Sequence, residues 1–300
     1  MTAPIDTIEA IDQIRLYFAP LATRQGILAR RSLGQPTPED DAVAGALVKR
    51  MLDEIGPDGS VNGGVVATIW RAHELLDLGC DTNEAEWGRL MSWVVDLQRR
   101  PGSFSQGCTP ARHSYRACQH FISGFFSPAP PEQRITPIMF PCGKVFRAEP
   151  AARFAISCLA LRAALRAGLG DRQQIEHHTT SLIQLQPLWA DWNGYFAPDV
   201  IVSGVHSLAF ASPAQRQMVP RLGESIVAHQ GEDGTWTNAD LFHTLDALLA
   251  VGSAEARETI RRAVPALLRR QRPDGSFGST AQQERALIAL RALIWVEQEG

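Results

Sequence analysis

The chain has 300 residues, 45% of them hydrophobic and 20% charged, which is ample for a packed core in a water-facing protein. A net charge of −3, with no basic run interleaved with aromatics, argues against a nucleic-acid surface. No run approaches the roughly eighteen apolar residues of a membrane span, and Met1-Thr-Ala-Pro-Ile-Asp6 lacks the pattern of a signal peptide. The five cysteines are widely spaced and form no CxxC pair, so a reducing, cytoplasmic setting is expected.

In chain order, residues 1–35 are expected to form an extension, with one helix over 4–18 lying across the outside of a single domain at 36–300. An amphipathic helix is predicted over 41–55, followed by a more apolar one over 65–79 that carries Trp70. Next come an amphipathic helix over 84–98 and an apolar one over 112–124 that opens with Arg112, His113 and Arg116. The stretch 125–140 is broken by Pro128, Pro130, Pro131 and Pro137 and reads as a lid or mouth loop. Glu149 and Arg153 open an apolar helix over 150–168. Then follow an amphipathic helix over 173–186, with His177 and His178 on a solvated face, and an apolar one over 200–211 that carries His206. An amphipathic helix over 214–230 leads to the apolar helix 239–252 with Asp240, His243 and Asp246. Helices over 254–271 (amphipathic) and 282–296 (apolar) complete the series.

A turn separates the members of most pairs: Gly56-Pro-Asp-Gly-Ser-Val61, Glu232-Asp-Gly-Thr-Trp236 and Pro273-Asp-Gly-Ser-Phe277 are its clearest copies. Related turns place glycines at 59, 102, 143, 194, 234 and 275, with gaps of 43, 41, 51, 40 and 41 residues. A spacing near forty holds two helices of three to four turns with their connections, the mark of a helix-pair repeat. Helices apolar on most sides are buried, and amphipathic ones lie outside them. The predicted fold is therefore all-α, an α6/α6 toroid: a double-layered α/α barrel of six helix-pair repeats.

Asp240, His243 and Asp246 stand three residues apart and span about 120° of one helix. A histidine flanked by carboxylates can be held with a raised pKa and act as a general acid; a carboxylic acid in an apolar cavity can do the same. Against this, Asp240 is also placed to cap the helix, and Asp246 could face outward. His206, on the neighbouring apolar helix, could join His243 and Asp240 as catalytic or metal-ligating groups, or be structural. Arg112, His113, Glu149 and Arg153 cluster at predicted helix starts, where arginines suit an anionic substrate group and where ion pairs between helices are the plainer reading. Trp70 is the aromatic best placed to wall a cavity.

The segment Gln271-Arg-Pro-Asp-Gly-Ser-Phe277 resembles the repeat turn of squalene-type terpenoid cyclases and of protein prenyltransferase β-subunits, and the likeness runs over most of 40–297. It implies a toroid whose central hydrophobic cavity holds an isoprenoid. Asp240-Leu-Phe-His243-Thr is similar to the prenyltransferase segment whose histidine binds zinc. The stretch matching that family's second zinc motif reads Ser203-Gly-Val-His206-Ser, without its aspartate and cysteine. No Asp-x-Asp-Asp acid motif occurs; the sole Asp-Asp doublet is Asp40-Asp41. The expected function is a terpenoid-cyclase-like enzyme, an isomerase or lyase, using proton-initiated cyclisation with Asp240, His243, Asp246 and His206 as catalytic candidates. Trp70, Arg112, His113, Glu149 and Arg153 are the substrate-binding candidates. The partner is a small hydrophobic substrate, an isoprenoid diphosphate among the choices, with peripheral membrane contact for its uptake. No cofactor is required on this reading. The alternatives are a prenyltransferase-like enzyme with an altered zinc site, or magnesium, and a non-catalytic toroid that binds a lipid or peptide.

Overall fold

A computed structural model of the chain describes residues 6–98 and 135–298. The described residues are mostly helical, in the order α1 (Thr7–Phe18), α2 (Arg24–Ser32), α3 (Asp40–Asp53), α4 (Val65–Leu78), α5 (Ala85–Gln98), α6 (Glu149–Arg166), α7 (Gln173–Leu185), α8 (Pro198–Leu208), α9 (Pro213–Gln217), α10 (Glu224–Ala228), α11 (Leu241–Val251), α12 (Ala254–Leu268) and α13 (Gln282–Glu297). One short antiparallel hairpin pairs β1 (Ile138–Met139) with β2 (Val145–Phe146) and precedes α6. The class is all-α.

The two kinds of helix differ in what they bury. Along α12, the buried Ala256, Thr259, Ile260, Ala263 and Ala266–Leu267 recur every three or four residues, so one face is buried and the arginines and glutamates keep water. In α8 every residue from Pro198 to Leu208 is buried, and α6 is buried continuously from Ala152 to Ala164. Many of these residues are Ala, Ser, Gly or Cys, whose small side chains let helix axes approach on all sides. α2 packs on α4, α4 on α6, α6 on α8, α8 on α11, α11 on α13, and α13 on α2, a circuit that returns to its start. Each of α1, α3, α5, α7 and α12 bridges two successive members of that circuit.

The structure departs from the sequence expectation in three places, at residues 24–32, at residues 214–230 and at His178. Residues 24–32 form a helix, α2, that the apolar pattern did not reveal. It packs between α13 and α4, and α4 meets α6 directly. The helix expected over 112–124, with Arg112, His113 and Arg116, lies outside the described residues, as does most of the stretch 125–140. The single helix expected over 214–230 is two short ones, α9 and α10. Pro220 between them lacks an N–H and disfavours helical geometry at Val219, and Gly223 then turns left-handed at φ 94°. His178, expected on a solvated face, is fully buried because α7 turns that side toward the core.

The repeat turn has a defined chemistry. Asp58, Asp233 and Asp274 each accept from the backbone N–H and the hydroxyl of the residue two further on, Ser60, Thr235 and Ser276. Gln230 Nε2 donates to the Thr259 carbonyl of α12 at 2.9 Å, and Gln271 Nε2 donates to the Ala10 carbonyl of α1 at 3.0 Å. The last turn thus grips α1 as the preceding one grips α12. Gly275 has φ 82°, and a Cβ there would stand 2.3 Å from the Gln13 carbonyl oxygen of α1. Gly275→Ala is expected to cost about 3 kcal/mol, combining left-handed strain with overpacking. Gly79→Ala, at φ 75° but with open space around the new methyl, should cost about 1 kcal/mol. Urea unfolding of both variants checks the difference; equal losses would show that the turn is not seated on α1.

Candidate active site

At one end of the circuit the hairpin lies over the N-terminal ends of α8, α11 and α13. Lys144 forms an ion pair with Asp199 of α8, and the Cys142 carbonyl accepts from Arg285 Nε of α13 at 2.8 Å. Beneath it, His243 is buried, with the edges of Phe140 and Phe146 against its ring and Cys142 Sγ 3.9 Å from Nδ1. Ser203 Oγ donates to the Asp199 carbonyl at 2.8 Å. His243 Nε2, 3.0 Å from the same oxygen, is therefore assigned as a donor to it. Burial pushes His243 below the ordinary histidine pKa in spite of Asp199 and Asp240 nearby. This corrects the expectation of a histidine acid raised by its flanking carboxylates. Desolvation of the imidazolium outweighs their pull.

Asp240 is the N-cap of α11. Its Oδ1 accepts from the Phe242 and His243 amides at 3.0 Å each, and Oδ2 stands 3.5 Å from Arg285. Arg153, buried, donates through Nε to Glu149 Oε1 at 2.6 Å. Glu149 also accepts from the Ile135 and Thr136 amides and the Thr136 hydroxyl. Burial raises the Glu149 pKa, but these hydrogen bonds outweigh it and hold the carboxylate below its usual range. The pair expected to greet an anion at the mouth instead anchors the segment leading into the hairpin.

Asp246 has a different setting. It lines a cleft of about 530 Å³ built largely by the C-terminal halves of α4, α6, α8, α11 and α13. Its apolar wall is Trp70, Phe210, Leu249 and Trp295; its polar wall includes Arg24, Asp77, Arg162, Arg166, His206, Glu284 and Arg291. The hydrophobic cavity expected from the sequence is therefore half charged among the described residues. Asp246 Oδ2 stands 3.8 Å from Arg162 Nη1 and 3.8 Å from His206 Nδ1, and 30% of its side chain remains exposed. Surrounding protein pushes its carboxyl pKa up, with Arg162 opposing. Arg162 Nη1 lies 2.6 Å from the ring nitrogens of buried His206, which must offer the guanidinium a lone pair. Burial, aided by Arg162, sets His206 well below the usual histidine range. Trp70 borders the cleft, a void of about 20 Å³ under the hairpin, and a second cavity of about 610 Å³ between the hairpin and α2.

The sequence reading brought His206, Asp246 and Trp70 to one place. It missed Arg24, Asp77, Arg162, Arg166, Glu284 and Arg291. Their signal was the one used for α11: charges on an otherwise apolar helix, as in Arg162 and Arg166 four apart within the Ala- and Leu-rich α6. Among the described residues, no three His, Cys, Asp or Glu side chains gather as a metal site. Asp240 is engaged by backbone amides and His243 by Ser203, so the residues near the expected zinc position do not fit that ion.

Four histidines, His73, His178, His206 and His243, are buried and held below their ordinary pKa, His178 down to about 3. A lowered histidine keeps its full contribution above the unfolded pKa of about 6.5 and loses it as pH falls toward the folded value. His178 alone should remove about 3 kcal/mol by pH 4. Asp246, with a raised pKa, changes stability in the opposite direction as its carboxylate is protonated. The urea midpoint is expected to drop between pH 7 and pH 4, and His178→Leu should flatten part of that slope. An unchanged slope would mean that His178 is not neutral in the fold.

No protein-family model matches the sequence, and no curated protein matches it either. Solved structures do match. A protein from Actinoplanes aligns with 97% of this chain and 100% of its own at TM-score 0.60 and 16% identity. Type II terpene cyclase MstE from Scytonema, without ligand, aligns with 96% of this chain and 88% of its own at TM-score 0.54 and 12% identity. Its R337A variant, in complex with the substrate geranylgeranyl dihydroxybenzoate, aligns equally well, at TM-score 0.54. The chain has a terpene cyclase-like fold.

Proposed function

We propose that the chain is a terpenoid-cyclase-like enzyme, an α6/α6 toroid in which α1 and α2 supply one of the six helix pairs. It acts by proton-initiated cyclisation of an isoprenoid held in the 530 Å³ cleft. The observation that supports this most is Asp246: a carboxyl group with a raised pKa that faces a cleft walled by Trp70, Phe210 and Trp295. A raised pKa leaves a larger share of the carboxyl groups protonated, and so able to donate, than in an exposed aspartate.

In the proposed step, the Asp246 O–H bond breaks and its proton forms a C–H bond at one carbon of a terminal double bond. The other carbon becomes a tertiary cation. A second double bond supplies the electron pair for a ring C–C bond, and the cation moves on. Loss of a proton, or addition of water followed by loss of a proton, ends the sequence. Trp70 and Trp295 border the cleft, each with a guanidinium over its ring, Arg24 at 5.2 Å and Arg257 at 4.8 Å, and the remaining π surface would stabilise the cation. The carboxylate left at Asp246 is balanced by Arg162 and regains its proton from water in the cleft. Asp240, His243, Glu149 and Arg153 hold the hairpin and helix ends and take no part in proton transfer.

The test is turnover in D₂O without added metal, with farnesyl and geranylgeranyl diphosphates and squalene as substrates. Acid initiation places one solvent deuterium in the cyclised product, at the carbon protonated first. Product without that deuterium would point to ionisation of a leaving group, the course a prenyltransferase-like enzyme would take. Retained ligand with no product would establish a binding toroid.

A further inference from the structure

The charges in the cleft do not balance evenly among themselves. Arg24 of α2 is buried and forms ion pairs with Asp77 of α4 and Glu284 of α13. Arg166 of α6 reaches the other oxygen of Asp77 at 2.6 Å and His73 Nδ1 at 2.9 Å. These two guanidiniums thus have carboxylates of their own. The other two cleft arginines do not. Arg162 has a neutral imidazole at 2.6 Å, its nearest carboxylate is Asp246 at 3.8 Å, and its buried Nε lacks a hydrogen-bond partner among the described residues. Arg291 of α13 lines the same cleft and makes neither a hydrogen bond nor an ion pair among the described residues.

Two guanidiniums short of negative charge, in a cleft of about 530 Å³ that Trp70, Phe210 and Trp295 also line, describe a receptor for an amphiphile. A buried arginine without a matched carboxylate is costly, and burial does lower the Arg162 pKa. An arriving anion would remove that cost, whereas a neutral hydrocarbon would leave it.

We propose that Arg291 and Arg162 form a subsite for the anionic oxygen group of the substrate, a carboxylate or a phosphate, with the isoprenoid chain laid along Trp70, Phe210 and Trp295. The proposal rests on reading the cleft as the substrate site. It also moves the anion from the start of α6, at Glu149 and Arg153, to the other half of that helix and to α13. The anion would sit beside Asp246 and draw Arg162 and Arg291 away from it, so the same event that places the chain favours the protonated acid. The charged groups that act on Asp246 are Arg162 of α6, Glu284 and Arg291 of α13, and Asp77 of α4. Neutral His206 of α8 also faces it.

The experiment is calorimetric titration of the full chain with three ligands that share one chain: geranylgeraniol, geranylgeranoic acid and geranylgeranyl monophosphate. Arg291→Gln and the exposed outer-helix variant Arg261→Gln are run beside the parent. Both anionic ligands are expected to bind the parent about 10- to 100-fold more tightly than the alcohol. Arg291→Gln should erase most of that difference and leave the alcohol unchanged; Arg261→Gln should change nothing. The tighter of the two anions identifies the head as carboxylate or phosphate. Equal affinity for alcohol and anions in the parent would overturn the proposal. So would an anion preference that survives Arg291→Gln. Deuterated cyclised product from squalene as readily as from the charged ligands would leave acid initiation standing and remove the subsite. An Arg291-dependent anion preference with no product from any ligand would keep the subsite and remove the cyclase.

Discussion

Asp246→Asn is expected to lower formation of cyclised product by about 10²- to 10⁴-fold, the range by which a positioned general acid contributes. The amide keeps the shape of the carboxyl group, and Arg162 at 3.8 Å makes no hydrogen bond that would be lost, so the fold and ligand affinity should change little. Asp240→Asn is the informative companion. That residue caps α11 through two backbone amides, and its replacement should lower stability by up to about 1 kcal/mol while leaving turnover per folded molecule intact. In the parent, activity should fall as pH rises through the raised pKa of Asp246, because the proton needed for the first step is then lost. Full turnover by Asp246→Asn, measured by mass spectrometry of the products, would exclude Asp246 as the acid.

The second large effect concerns stability. Arg24→Met should destabilise the chain by about 3–5 kcal/mol, since it strips Glu284 of its ion pair inside the circuit and leaves Asp77 with Arg166 alone and Glu74 with Arg71 alone. Burial already raises the Glu74 pKa despite Arg24 and Arg71, so removal of Arg24 should add to that rise. The double variant Arg24→Met, Glu284→Gln should recover much of the loss, because the neutral amide no longer needs the guanidinium while Asp77 keeps Arg166. Denaturant unfolding reads both. A loss under 1 kcal/mol for Arg24→Met would show that water reaches these carboxylates freely.

The repeat was visible in the sequence because its turn needs particular residues: an aspartate two before a hydroxyl, and a glycine for a left-handed backbone. α2 was hidden for the opposite reason. Between Arg24 and Ser32 only Ile27, Leu28 and Ala29 are strongly apolar, and the helix is held by Arg24 and Arg30, whose partners include Glu284 and Asp40. A partner 260 residues away leaves no local pattern. The break between α9 and α10 was foreseeable from Pro220 and Gly223, but the amphipathic spacing on either side masked it. In the site, the three-residue spacing of Asp240, His243 and Asp246 placed them on one face without saying what that face meets. The N-cap position turned Asp240 into a backbone acceptor, and the hairpin covered His243. The orientation of Asp246 depends on Arg162 and His206, which belong to two other helices.

The grip of the last turn on α1 carries a consequence for how the protein comes apart. An open solenoid has two terminal units, each with one neighbour, and it frays from those ends. Here every helix of the inner series has a neighbour on both sides, so no unit is terminal. Local opening has no preferred starting point until one junction is broken. The Arg24–Glu284 ion pair and the Gln271–Ala10 hydrogen bond join the first helices to the last, and that seam is the junction where sequence continuity gives no help. Amide exchange in the parent should therefore report one cooperative opening across the inner helices. Weakening the seam should turn that single opening into a gradient of protection that declines from α6 and α8 toward α2 and α13.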